Sequence, residues 1–249
     1  MSVRRLLQVD ERDPLSTARS LLSHVWVDSK LDGMLIPSWI EDQPFPTATL
    51  HQDPQSLSQS DPFSPIMPQN IAGVAADLVQ QHPDRRLGLS LRPCELRSLV
   101  QLADRDGIDL SDTLLISTDC LSVFPLEDVH WRLGEVKDKD QLTRDALQFA
   151  AQGGILPSRF KKSCQLCDIP YPRSADVQIE LLGIATNQHI VVDLSDKALA
   201  MGMTFESMAT EEIPPEVDER RQQVLEKITN WRKRSLAYTQ SHLDEKLAS

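Results

Sequence analysis

No stretch of the chain approaches the ~18 uninterrupted apolar residues that a membrane-spanning helix needs. The positive start at Arg4-Arg5 turns acidic at Asp10 before an apolar core of secretory length develops. The expectation is a cytoplasmic protein with no direct membrane insertion. Basic residues are in deficit: 26 Lys+Arg against 37 Asp+Glu leave a formal charge of -11. That argues against binding along a nucleic-acid backbone, where cations must displace counterions. Neither GxGxxG nor GxxxxGK occurs, so neither common phosphate-cradling loop is expected, and the 6 histidines form no HxxxH pair and suggest no Ser-His-Asp order. Four cysteines in 249 residues are too few for the disulfide scaffold of a small secreted domain. In a reducing cytosol, clustered cysteines more often serve metal or redox chemistry.

Enough apolar surface is present for a core, since 40% of the residues are hydrophobic, well above the disordered range. Leu15, Ala18, Leu21, Leu22 and Val25 fall at helical spacing behind Asp13-Pro14. Between Pro37 and Pro68 seven of the 16 prolines fall within 32 residues, which predicts a long extended loop with little regular structure. Residues 1–69 therefore read as an N-terminal helix and a Pro-rich wrapping segment. Asn70 then caps a helix with the stripe Ile71, Val74, Ala75, Leu78 and Val79. Leu87–Leu91 is a strand, Pro93 opens a helix, and residues 113–118 form a second strand, which together make a right-handed parallel βαβ unit. A helix is expected over 140–151, and strands over 175–185 and 189–194 suggest a hairpin. The fold class is α/β (α+β): a small parallel βαβ core with a C-terminal hairpin over 70–214, then a long terminal helix over 215–249. That helix has one narrow stripe, Val217, Val224, Ile228 and Trp231, with Arg220, Arg221, Lys227, Arg232, Lys233 and Arg234 on its surface. Such a helix must dock to be stable, either by folding back on its own domain or by inserting its stripe into a partner subunit, and the partner is the favoured surface.

The cysteines carry the chemistry. Cys94 sits in the opening turn of the helix after the first strand, and Cys120 just past the second. If those strands are parallel neighbours, both thiols emerge at the carboxyl edge of the sheet, where open α/β folds bind ligands. The helix N-terminus is expected to lower the pKa of Cys94. Cys164-Gln165-Leu166-Cys167 is a CxxC bite, a spacing shared by zinc, iron-sulfur and redox sites. All four cysteines can thus form one tetrathiolate site drawn from three segments.

At these residues the chain resembles the beta-subunit family of coenzyme F-420 (deazaflavin) hydrogenases and dehydrogenases, which includes formate dehydrogenase beta subunits. The resemblance rests on Asp32-Gly33, on Leu91-Arg92-Pro93-Cys94-Glu95-Leu96-Arg97-Ser98-Leu99, on Ser117-Thr118-Asp119-Cys120, and on Cys164-x-x-Cys167 followed by Pro170, Pro172 and Ala175-Asp176-Val177. It implies an iron-sulfur electron-transfer subunit of a multi-subunit oxidoreductase rather than a stand-alone enzyme. Cys94, Cys120, Cys164 and Cys167 would ligate one 4Fe-4S cluster, with the other subunits of a redox complex as partners. Some members also hold a flavin, FAD. Where those relatives have a turn rich in glycine and serine, this chain reads Glu180-Leu181-Leu182-Gly183, which counts against FAD. No fifth cysteine exists to extend an electron chain. The alternative reading is a zinc-stabilised four-cysteine scaffold or interaction protein.

Arg92 and Arg97 flank Cys94, and Arg159, Lys161 and Lys162 precede the CxxC. These cations could stabilise a reduced cluster or hold a cofactor or substrate phosphate, or be solvated surface charge. Glu95 suits the first turn of its helix, and Asp119 and Asp168, each beside a cysteine, are candidates to replace a thiolate as a harder ligand or, the favoured reading, to orient backbone amides toward sulfur.

Overall fold

The computed structural model describes residues 2–135, 138–154 and 160–248, with side chains described through residue 242. The elements run β1 (Val3–Gln8), α1 (Pro14–Asp28), β2 (Gly33–Ser38), β3 (Thr47–His51), α2 (Ala72–Gln81), β4 (Leu87–Leu91), α3 (Pro93–Asp106), β5 (Leu114–Thr118), α4 (Leu126–Glu135) and α5 (Lys139–Leu147). They continue with α6 (Lys162–Leu166), β6 (Val177–Glu180), β7 (His189–Leu194), α7 (Asp196–Ala200), β8 (Thr210–Glu211) and α8 (Pro215–Ala248). One eight-stranded sheet has the order β3-β2-β4-β5-β6-β7-β1-β8. The four strands β2, β4, β5 and β6 are parallel neighbours, and the flanking pairs are antiparallel. The fold is therefore α/β with the expected βαβ unit at its centre and the β6–β7 hairpin beside it.

Strand periodicity sorts side chains between two cores. Met34 and Ile36 of β2, with Leu114 and Ile116 of β5, pack among α1, α5 and α8, whereas Leu35 and Leu115 turn to the opposite face against α2 and α3. Leu89 of β4 is fully buried in the second core, and Gly88 beside it leaves room in the first: a Cβ there would meet Leu31 Cδ1 at 2.7 Å. A third cluster of Trp39, Ile66, Phe124, Val129, Leu142 and Phe160 closes over the carboxyl edge of the sheet, with the half-buried Cys164 packed against it.

Several helices start as their sequences dictate. The Asp13 carboxylate accepts from the N–H groups of Leu15 and Ser16 at 3.1 and 3.2 Å, and Pro14 opens α1. Asn70 accepts from Ala72 N–H at 2.9 Å.

The Pro-rich segment is not an irregular loop. It contributes β2 and β3, paired from Met34↔His51 to Ser38↔Thr47. Pro37 is tolerated because its carbonyl accepts from Asp61 N–H at 2.7 Å, so its missing N–H lies on the side away from β3 and beyond the β4 pairing. The strand expected over 175–185 stops at Glu180, and the helix expected over 140–151 ends at Leu147, with a 3-10 turn at Ala150–Gln152 following. Gly153 ends that turn at φ 96°, directly beneath Ile228 of α8.

Asp61 is fully buried. One carboxyl oxygen accepts from Thr143 Oγ1 at 2.7 Å and the other has no hydrogen-bond partner; the Trp39 indole faces the group without meeting hydrogen-bond geometry. Burial pushes its pKa up to about 6, the Thr143 bond opposing. The folded state therefore holds a proton that the unfolded chain releases near pH 4, so this group lowers stability as pH rises from about 4 through about 6. Asp61→Asn should raise the unfolding free energy at pH 7.5 by up to roughly 3 kcal/mol, raising the melting temperature there and flattening its fall between pH 4.5 and 6.5. Thermal melts across that range check it, and an unchanged pH profile would contradict the assignment.

Candidate metal or cluster site

β4 and β5 run parallel in the register Leu91↔Ser117, so the residues that follow them leave the sheet side by side. Cys94 lies in the first turn of α3 and Cys120 is the second residue past β5. The third segment is drawn in by backbone hydrogen bonds. Cys120 N–H donates to Pro170 O at 2.7 Å, and Lys161 N–H donates to Val123 O at 2.9 Å. Cys164 sits in α6, and Cys167 follows its end, its N–H donating to Cys164 O at 3.4 Å. All four thiols are free and partly buried. Cys94 feels the charges of Cys167 and Cys164, and Cys120 those of Cys94 and Cys164, so the set is in electrostatic reach of itself. Among the described residues, no group of three or more His, Cys, Asp or Glu side chains stands at the spacing a single metal ion requires.

The expected lowering of the Cys94 pKa is reversed. Burial and then the neighbouring Glu95 carboxylate push the Cys94 thiol up, and burial pushes Cys120 up to about 12, outweighing the opposing pull of the Arg92 guanidinium on both. Ser122 N–H donates to Cys120 Sγ at 3.4 Å.

Of the cations singled out in the sequence, Arg92, Arg97 and Lys161 hold backbone. Arg92 is buried, and its Nη2 donates to Ser64 O at 2.6 Å and Ile66 O at 2.9 Å, pinning the segment before α2 over the sheet edge. Arg97 is exposed and donates to Ile169 O at 3.2 Å; Lys161 Nζ donates to Met67 O at 2.6 Å. Arg159 lies outside the described residues. Glu95 is buried and accepts from Arg92 N–H at 3.0 Å and from Ile71 N–H at 3.2 Å, which caps α3 and ties α2 to it. A cavity of about 230 Å³ lies between Arg92, Glu95 and the residues Phe45, Pro46, Met67 and Pro68.

Asp119 does orient amides, but away from the thiols: it accepts from the N–H groups of Leu181 and Leu182 at 2.7 and 2.8 Å. This ends β6 at Glu180. The same carboxylate receives both terminal nitrogens of Arg221 from α8, whose Nε also pairs with Glu180 at 3.0 Å. Burial works against the Arg221 charge, yet Asp119 keeps its pKa above the ordinary value; burial raises that of Glu180. Asp168 contributes its carbonyl to Thr229 Oγ1 at 3.4 Å.

Two arginines expected on the surface of the terminal helix are thus core residues: Arg221 and Arg232 are 7% and 5% exposed. The helix docks on its own domain rather than awaiting a partner, with Gly183 so close beneath it that a Cβ would meet Arg221 Cα at 2.7 Å. The signal was present in the spacing 221, 225, 228 and 232, which puts both arginines in phase with the apolar stripe.

No family model matches the chain, and no curated protein does. Among solved structures, a chain of the F420-reducing NiFe hydrogenase complex from Methanosarcina barkeri is similar over 94% of this chain and 90% of that chain, with a TM-score of 0.64 at 11% identity. At that identity the likeness is one of fold.

Breaking a buried ion pair strands a charge, at a cost of roughly 3–5 kcal/mol. Arg221→Met and Asp119→Asn should each lower the unfolding free energy by about that amount, and the double variant by clearly less than their sum. Urea unfolding of the four proteins measures the coupling; additive losses would show that the two groups act independently.

Proposed function

We propose that the chain is an iron-sulfur electron-transfer subunit of a multi-subunit oxidoreductase, in which Cys94, Cys120, Cys164 and Cys167 hold one 4Fe-4S cluster. The observation that carries this reading is that β4 and β5 leave the sheet side by side just before Cys94 and Cys120, and that the bond from Cys120 N–H to Pro170 O draws the CxxC segment to the same edge. Four thiolates suit such a cluster, whose chemistry when bound is reversible one-electron transfer. The chain's own residues supply the setting. The first turn of α3 favours negative charge at Cys94, Ser122 donates a hydrogen bond to Cys120 Sγ, and the Arg92 charge acts on both sulfurs. Phe124, Phe160 and Ile66 keep water from one side of the site.

The chain has no second cysteine set, so electrons would pass to other subunits, and the likeness of fold to a chain of a hydrogenase complex supports a subunit role. Among the described residues no helix is long and apolar enough to cross a membrane, in keeping with the cytoplasmic placement we propose. The turn after β6 argues against FAD, because the Leu181 and Leu182 amides that could cradle a phosphate are both given to Asp119.

Anaerobic purification tests the reading. The expected product is brown, with broad absorbance near ~400 nm and about four irons per chain, and each of Cys94→Ser, Cys120→Ser, Cys164→Ser and Cys167→Ser should cut bound iron several-fold. A colourless protein holding zinc would replace the cluster with a structural metal. Unchanged iron in Cys94→Ser and Cys120→Ser would reduce the site to the CxxC alone.

A further inference from the structure

We infer that Arg232 of the terminal helix is a positioning residue of the four-cysteine site: its guanidinium clamps two of the cysteine-bearing loops together and its charge eases one-electron reduction there. The inference rests on the reading above. Arg232 Nη1 donates to Cys167 O at 2.8 Å and Nη2 donates to Ser122 Oγ at 2.9 Å. Ser122 is itself buried, and its N–H is the donor to Cys120 Sγ. One planar group therefore spans from the backbone of one proposed ligand to the residue that hydrogen-bonds the sulfur of another. One turn earlier on α8, Thr229 Oγ1 reaches the next carbonyl, that of Asp168, so the helix grips the CxxC loop at two successive peptide units. A lysine could not make this contact, since only the guanidinium fork presents two diverging donors in one plane.

The charge balance points the same way. Arg221, buried to a similar degree on the same helix face, is matched by Asp119 and Glu180. Arg232 is buried against a carbonyl and a hydroxyl, and among the described residues no carboxylate forms an ion pair with it. A buried cation requires a countercharge, and the cysteine sulfurs of the two loops it clamps are potential anions. Arg92 repeats the pattern across the site, buried and held by the carbonyls of Ser64 and Ile66. In a chain of net charge -11, two buried guanidinium groups that, among the described residues, form no ion pair with a carboxylate are thus held by backbone around the cysteine-bearing segments. A tetrathiolate centre gains further negative charge on accepting an electron from the redox partner, and a fixed cation favours that more reduced state.

The full-length chain is compared with Arg232→Met, Arg232→Lys and Ile228→Ala, the last trimming a buried apolar side chain of the same helix while keeping the guanidinium and its two hydrogen bonds. In the metal-free proteins, Arg232→Met should speed amide hydrogen exchange at least tenfold in residues 120–123 and 166–169 together, and Arg232→Lys should do so to a lesser degree. In the anaerobically loaded proteins, the midpoint potential should shift negative in Arg232→Met and stay at the wild-type value in Arg232→Lys and Ile228→Ala. Wild-type exchange in both loops of Arg232→Met overturns the clamp. A wild-type potential in Arg232→Met, or an equal shift in Ile228→Ala, overturns the electrostatic role. If Arg232→Met does not fold, Arg232→Lys carries the test through faster exchange at an unchanged potential. A wild-type chain that takes up no iron while the exchange result holds would defeat the cluster reading, and with it the electrostatic role, and leave the clamp standing.

Discussion

The buried carboxylate of Asp119 joins three parts of the molecule that have no local reason to meet. It stands at the end of β5, one residue before Cys120, and accepts from two successive amides past β6 and from both terminal nitrogens of Arg221. Each bond answers a different need: the amides would otherwise be stranded where the ladder ends, and the guanidinium would be a buried charge without a partner. Satisfying all of them with one group fixes where β6 stops, how α8 lies across the sheet and where the Cys120 loop begins. Arg4 extends the network by pairing with Glu180 at 2.7 Å and with Asp218 at 2.9 Å, which ties β1 to the start of α8.

The charge distribution follows from this. Several arginines of this acidic chain turn inward, where they hold carbonyls and carboxylates across segment boundaries. Arg19 meets Asp140 at 2.6 Å and Arg144 meets Asp13 at 3.0 Å, so α1 and α5 are cross-linked from both sides. Arg92 and Arg232 do the equivalent with backbone oxygens around the cysteines.

The centre of the fold was legible in the sequence because its signals are local. A strand, Pro93 at a helix start and a second apolar run lie within some thirty residues, and the rule that such units are parallel and right-handed brings Cys94 and Cys120 to one edge. Thr47–His51 was hidden by the prolines around it, since nothing in the sequence says that the missing N–H of Pro37 points away from its neighbour. Val3–Gln8 has no alternation to mark it: it is defined by partners near the other end of the chain. The fate of the Cys94 thiol was misjudged because a helix terminus is visible in sequence whereas burial is not. Arg232 shows the limit most clearly, for its spacing marks the inner helix face but its two acceptors belong to loops 65 and 110 residues away.

The position of β1 also bears on how the chain comes to be folded. Its two neighbours in the sheet are β7 and β8, so β1 lacks its sheet partners until residue 194 has been synthesised. Contacts of such long sequence separation form late and slow the rate-limiting step of folding. Until then Val3–Gln8 is an unpaired strand, exposed to mispairing with other chains. Its Arg4-Arg5 pair places two like charges in that segment and discourages such association. When the strand does insert, Arg4 finds Glu180 and Asp218 waiting, and the same charges that kept the nascent chain apart become the latch that closes the sheet.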